Sequence, residues 1–131
     1  MTHAQELGRF AEDIAAEYLI SLNWLIIGRN LRNEYGELDI AALDKMSRPE
    51  ELVIIEVRCR TIGMIQSPLD SIGPKKLPTL INSAREFVNS SGWPGFWRID
   101  VIGVTVSDKD SRDNWQLEHI RDITGGMNII S

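Results

Sequence analysis

Two acids stand inside apolar, β-branched runs of this chain: Asp39 in Gly36-Glu37-Leu38-Asp39-Ile40 and Glu56 in Ile55-Glu56-Val57-Arg58. Carboxylates are seldom buried unless they are paired or bound to a metal. Both segments read as strands, and the polar stretch Asp44-Lys45-Met46-Ser47-Arg48-Pro49-Glu50-Glu51 between them reads as the loop of an antiparallel hairpin. If Leu43 pairs with Leu52, each step away from the loop keeps that register, and Asp39 falls opposite Glu56. Like charges opposed across a ladder destabilise it, which points to a cation between them. Hard cations such as Mg²⁺ and Mn²⁺ take a few carboxylate oxygens together with water and substrate phosphate. Such an ion could acidify a water and shield a phosphodiester during in-line attack.

Alternation along the second strand puts Ile54, Glu56, Arg58 and Arg60 on one face and Val53, Ile55, Val57 and Cys59 on the other. By the same rule Asp39 shares its face with Glu37 and Ala41. Arg58 could clamp a phosphate with its planar fork. A blander arrangement fits the same spacing: Glu56 in a structural ion pair with Arg58 or Arg60, and Asp39 in water. Other candidates for chemistry are weaker. His3 and His119 lack metal-ligand spacing and suit surface or packing roles, the four tryptophans are scattered, and Cys59 suits a small strand position. The sequence contains no glycine-rich phosphate loop, nucleophile elbow or Cys/His cluster.

The elements that must position these residues can be read from periodicity. Residues 4–22 carry Leu7, Phe10, Ala11, Ile14, Ala15, Tyr18, Leu19 and Leu22 at helical spacing, with Glu12 and Glu17 at opposite borders of the stripe. Trp24 to Arg29 reads as a first strand, followed by the hairpin of 36–43 and 52–60. Residues 61–74 form a loop, and a second helix is expected from Lys75 to Asn89, with Pro78 tolerated only in its first turn. Phe96 to Val106 gives a fourth strand, Ser107 to Asn114 a charged turn, and Trp115 to Ile120 a short last strand. The tail 121–131 is expected to fray or to pack. This order predicts a mixed sheet flanked by helices in a single α/β domain spanning 1–131.

The 131 residues, 43% hydrophobic and 25% charged, are enough to bury a core. A net charge of −5 argues against nucleic-acid binding through bulk charge alone. The distribution is uneven: residues 1–28 carry one base against four acids and residues 99–131 three against six. Residues 29–98 carry ten bases against nine acids, so any cationic surface lies around the hairpin. The longest apolar run is too short to cross a bilayer and no leader pattern opens the chain, so a cytoplasmic protein without a membrane partner is expected. The lone cysteine excludes an internal disulfide.

Several stretches occur in an order that resembles the YraN family: Gly8-Arg9-x-Ala11-Glu12-x-x-Ala15, Asn30-x-Arg32-x-x-x-Gly36-Glu37-Leu38-Asp39, Glu56-Val57-Arg58-x-Arg60, Lys76 and Arg98-x-Asp100-Val101. The resemblance covers roughly residues 7–121. That family is assigned to the restriction-endonuclease-like PD-(D/E)XK superfamily and is similar to archaeal Holliday junction resolvases. The resemblance implies a restriction-endonuclease-like fold, with Glu12 as the helical acid, Asp39 and Glu56 as ligands of Mg²⁺ or Mn²⁺, and the Val57 carbonyl as a further ligand. It implies contacts of Arg58, Arg60 and Lys76 with nucleic acid. Arg58 stands where the superfamily usually has lysine. An arginine stays protonated and is bulkier, so it suits phosphate binding better than water handling; Lys76 is a candidate substitute. Ala11 also replaces the usual glycine. The leading expectation is a metal-dependent endonuclease acting on DNA, branched or flapped forms included. The alternatives are a catalytically weak nucleic-acid-binding module and a homodimeric interaction scaffold.

Overall fold

Thr2 starts the first helix, α1 (His3–Ser21), with a capping box: its hydroxyl accepts from the Gln5 amide while the Gln5 side chain accepts from the Thr2 amide. Ala11, Ile14, Ala15, Ala16 and Leu19 form its buried stripe. The computed structural model describes residues 2–63, 67–108 and 111–125. After α1 come β1 (Leu25–Asn33), β2 (Gly36–Asp44), β3 (Glu51–Thr61), α2 (Lys76–Ser91), β4 (Trp97–Asp108) and β5 (Ser111–Ile120). The strands form one sheet in sequence order, antiparallel except where β3 runs parallel to β4. That parallel step needs a crossover, which α2 and the segment before it supply.

The helices cover opposite faces. Helix α1 packs on Ile40, Ala42, Val53, Ile55, Ile102, Val104 and Val106, with Val57 and Cys59 alongside. Leu80, Ala84 and Val88 of α2 pack on Ala41, Leu52, Ile54, Trp97, Ile99 and Val101. Alternation along β3 is therefore clean, as predicted, and β4 follows the same rule. Pro78 lies in the first turn of α2, and Gly92 ends that helix in the left-handed region that favours glycine.

Two boundaries differ from expectation. β1 starts after Trp24 and runs on to Asn33, joined to β2 by the two residues Glu34 and Tyr35, with Asn33 opposite Gly36. Residues 30–33 hold a single apolar residue, Leu31, and carry no apolar alternation, so their pairing with β2 makes them a strand. Likewise β4 and β5 extend into the charged segment read as a turn, because an exposed edge strand tolerates polar side chains. Part of the tail packs: the Ile123 amide donates to the Ile99 carbonyl at 2.9 Å. Residues 126–131 lie outside the described residues.

Two glycines allow close approaches that shape the site. Gly36 has φ +154°, and a Cβ there would lie 2.9 Å from Ser83 Oγ; Asn33 Nδ2 donates to the Ser83 carbonyl at 3.0 Å, so the β1–β2 turn rests on α2. On β4, Gly103 faces Pro68, and a Cβ at 103 would overlap the proline ring. Segment 67–72 therefore lies directly on the sheet.

Candidate active site

The β2–β3 ladder has the register expected from Leu43 opposite Leu52, and its last pair is Ile40 with Ile55. There the strands part. Residues 36–38 of β2 stay with β1, and residues 56–61 of β3 stay with β4. Asp39 and Glu56 are the first residues past the fork. The Asp39 carboxylate fills the gap in the ladder by accepting the Val57 amide at 2.8 Å. Leu38 packs on the α2 side with Ala41, three residues away, so strict alternation fails at Asp39. Glu37 and Ala41 do not share a face, contrary to expectation, because the strand twists as it leaves β3.

Glu56 is buried, its side chain only 4% exposed. Lys76 Nζ lies 2.8 Å from Glu56 Oε2, and Arg58 Nη1 lies 3.5 Å from the same oxygen. Arg58 is held by Ser71, with Nε donating to its hydroxyl at 2.9 Å and Nη2 to its carbonyl at 3.3 Å. Arg60 sits apart from the acids and donates through Nε to Thr105 Oγ1 at 3.1 Å.

Burial, and next the charge of Glu56, push the Asp39 carboxyl up to about 8; the Val57 amide only partly offsets them. Near neutral pH the Asp39–Glu56 pair therefore favours holding a proton. Glu12 approaches from α1, and its charge also acts on Asp39. Burial raises the Glu12 carboxyl as well, against the lowering effect of Arg29, whose Nη2 lies 3.5 Å away. With its amide nitrogen turned toward α1, Asn30 donates to both Glu12 oxygens at 3.2 Å. Asn30 has φ +51°, a conformation asparagine tolerates better than most residues.

The fold thus brings together Asp39, Glu56, Val57, Arg58 and Lys76, holds Glu12 at longer range, and leaves Arg60 outside the cluster. Among the described residues no three His, Cys, Asp or Glu side chains converge as a metal cluster. The donor chemistry still suits a hard divalent cation: two adjacent carboxyl groups, whose two neighbouring cations both contact Glu56, and backbone at the fork. Sequence reasoning missed Ser71, which lies in a loop without periodicity, and Asn30, whose only signal was its place in the motif.

A second polar cluster lies at the other end of the hairpin. Asp44 and Glu51 are Cα partners on β2 and β3. Arg98 joins them, with Nη2 3.1 Å from Asp44 Oδ2, Nη1 3.0 Å from Glu51 Oε1 and Nε 3.0 Å from Asp100 Oδ1. Asp100 also meets His119 Nε2 at 2.8 Å and accepts the Asp122 amide at 2.9 Å, while Tyr18 Oη meets His119 Nδ1 at 2.8 Å. Burial alone would raise Asp100; hydrogen bonds from His119, Arg98 and the Asp122 amide outweigh it and lower its pKa. His119 is thus a packing residue, as its sequence context suggested.

The fold is of the restriction-endonuclease-like class. Residues 11–104 match the uncharacterised protein family UPF0102, the YraN family of that superfamily, and the chain belongs to it. It is 38% identical to a UPF0102 protein of Marinobacter nauticus over 103 residues, covering 78% of this chain and 80% of the relative. A UPF0102 protein of Chlorobium chlorochromatii is 36% identical over 119 residues, 89% of each chain. One from Mycobacterium tuberculosis is 35% identical over 125 residues, 94% of each chain. No helix among the described residues is long and apolar enough to cross a membrane.

Proposed function

We propose that this protein is a metal-dependent endonuclease acting on DNA phosphodiesters, branched DNA included. The observation that carries this reading is the adjacent pair at the fork, buried Glu56 and partly buried Asp39, where burial and the charge of Glu56 push Asp39 up to about 8. Asp39, Glu56 and the Val57 carbonyl would hold Mg²⁺ or Mn²⁺. Such an ion, when bound, supplies charge against the phosphodiester and makes water more acidic. Arg58, steered by Ser71, binds phosphate with its planar fork. Glu12, fixed by Arg29 and Asn30, orients water or cation from the helical side.

One observation favours a second reading, a nucleic-acid-binding module with weak or no cleavage. Two cations already sit on Glu56, and a free lysine is missing from the strand position that Arg58 occupies. Cleavage of labelled branched and linear DNA in Mn²⁺ or Mg²⁺ separates the readings. Activity in the wild type that is lost in Asp39→Ala and Glu56→Ala supports the nuclease. Salt-dependent binding without cleavage in any metal supports the binding module, and cleavage that survives Asp39→Ala removes the assignment.

A further inference from the structure

Lys75 and Lys76 stand at the start of α2, and the first turn of that helix contains no acid. A helix N-terminus is the positive end of the macrodipole, where a cation is disfavoured. Lys75 makes no side-chain cap. The compensation for Lys76 comes from the sheet: its ammonium is 2.8 Å from the buried Glu56.

The two cations on Glu56 are held very differently. Arg58 is fastened at two points to Ser71 and meets Glu56 at 3.5 Å. Lys76 makes the shorter contact, yet its side chain is 49% exposed. Its flexible stem can swing the ammonium into water without moving α2, whereas the acid cannot follow.

We propose that Lys76 is a displaceable internal counter-ion: it neutralises Glu56 in the metal-free protein, and a divalent cation on Asp39 and Glu56 releases its ammonium to a DNA phosphate. The proposal rests on the reading that this pair takes a divalent cation. It makes Lys76 a positioning residue that links metal occupancy to DNA affinity. Because coupling is reciprocal, DNA must tighten metal binding by the same factor that metal tightens DNA binding.

The test is direct Mn²⁺ binding by the full chain without DNA, followed by electron paramagnetic resonance of the free ion. Lys76→Met keeps the stem and removes the competing charge, so it should bind Mn²⁺ about tenfold more tightly than the wild type, within the usual range of coupling. Lys76→Arg keeps the charge and should stay near the wild type. Fluorescence anisotropy with a branched DNA should show Mn²⁺ strengthening binding by the wild type and much less by Lys76→Met. If Lys76→Met unfolds without metal, Mn²⁺ should restore its folding; failure to do so counts against the proposal. Wild-type binding that is lost in Asp39→Asn but unchanged or weaker in Lys76→Met overturns the counter-ion role and leaves the metal site standing. No Mn²⁺ binding by either the wild type or Lys76→Met overturns both.

Discussion

The β2–β3 hairpin carries two pairs of acids, Asp44 opposite Glu51 near its loop and Asp39 beside Glu56 at its fork. Both pairs are at least partly buried, yet their surroundings differ. At the loop end, the guanidinium of Arg98 bridges Asp44 and Glu51 and reaches Asp100 as well. Asp44 Oδ1 also accepts the Met46 and Ser47 amides at 3.0 and 3.1 Å. At the fork, the cations are a half-exposed lysine and an arginine shared with Ser71. Burial is common to both ends. What separates the two ends is the fixed geometry of the partner: one guanidinium spans the acids at the loop end, whereas both cations at the fork contact Glu56.

The largest effect is expected where one buried guanidinium serves three carboxylates. Arg98→Met should cost about 3–5 kcal/mol, because it strands buried carboxylates without their cation. Urea denaturation measures it, and a loss under 1 kcal/mol would show that the loop-end cluster does not depend on Arg98.

At the fork the sign reverses. The folded pKa of Asp39, near 8, lies above its unfolded value of about 3.8, so the native state binds the extra proton between those limits. Metal-free stability should therefore fall as pH rises from about 4 to 8. Asp39→Asn should remove that fall and gain about 1–3 kcal/mol above pH 8, less than the full shift implies because solvent screens the pair. Asp100 behaves oppositely: its lowered pKa contributes stability above about pH 3.8 that is lost as pH falls through the folded value. Mg²⁺ at a hundred times its Kd should stabilise the wild type by about 2.7 kcal/mol and Asp39→Asn far less. Melting curves from pH 4 to 9, in EDTA and in Mg²⁺, check both points. A wild type that gains stability between pH 5 and 8, with no response to Mg²⁺, contradicts the fork assignment.

The smallest effect is at Tyr18, which binds His119 at the margin of the loop-end cluster. Tyr18→Phe should cost about 1 kcal/mol, one net hydrogen bond, with no change in metal affinity. Calorimetry alongside Mn²⁺ titration checks it, and altered metal affinity would mean that the two ends communicate.

Much of this geometry was legible before any coordinates. The hairpin register followed from apolar runs on both sides of a polar loop, and the core face of α1 followed from its stripe. The same register arithmetic places Asp44 opposite Glu51, a pair hidden because both residues belong to the polar stretch that reads as loop. The distinction between the two pairs depends on Arg98, a residue of β4 that reaches the hairpin only because β4 pairs with β3. The fork was not legible either. Alternation assumes a regular strand, and Asp39 sits where β2 abandons one neighbour while keeping the other. Residues 30–33 lacked a pattern because polar groups at a sheet edge owe their conformation to a partner strand, not to their own burial.

Pro68 rests on the bare backbone of Gly103, and three residues later Ser71 grips Arg58. The aim of that arginine is thus set by clearance over its own ladder partner, Gly103 of β4. A single methyl group added at position 103 would shim the segment off the sheet and loosen Arg58 without touching an acid or a base. In an inherited variant, such a change would look like a harmless substitution between small core residues and would behave as a loss of aim in the arginine at the fork.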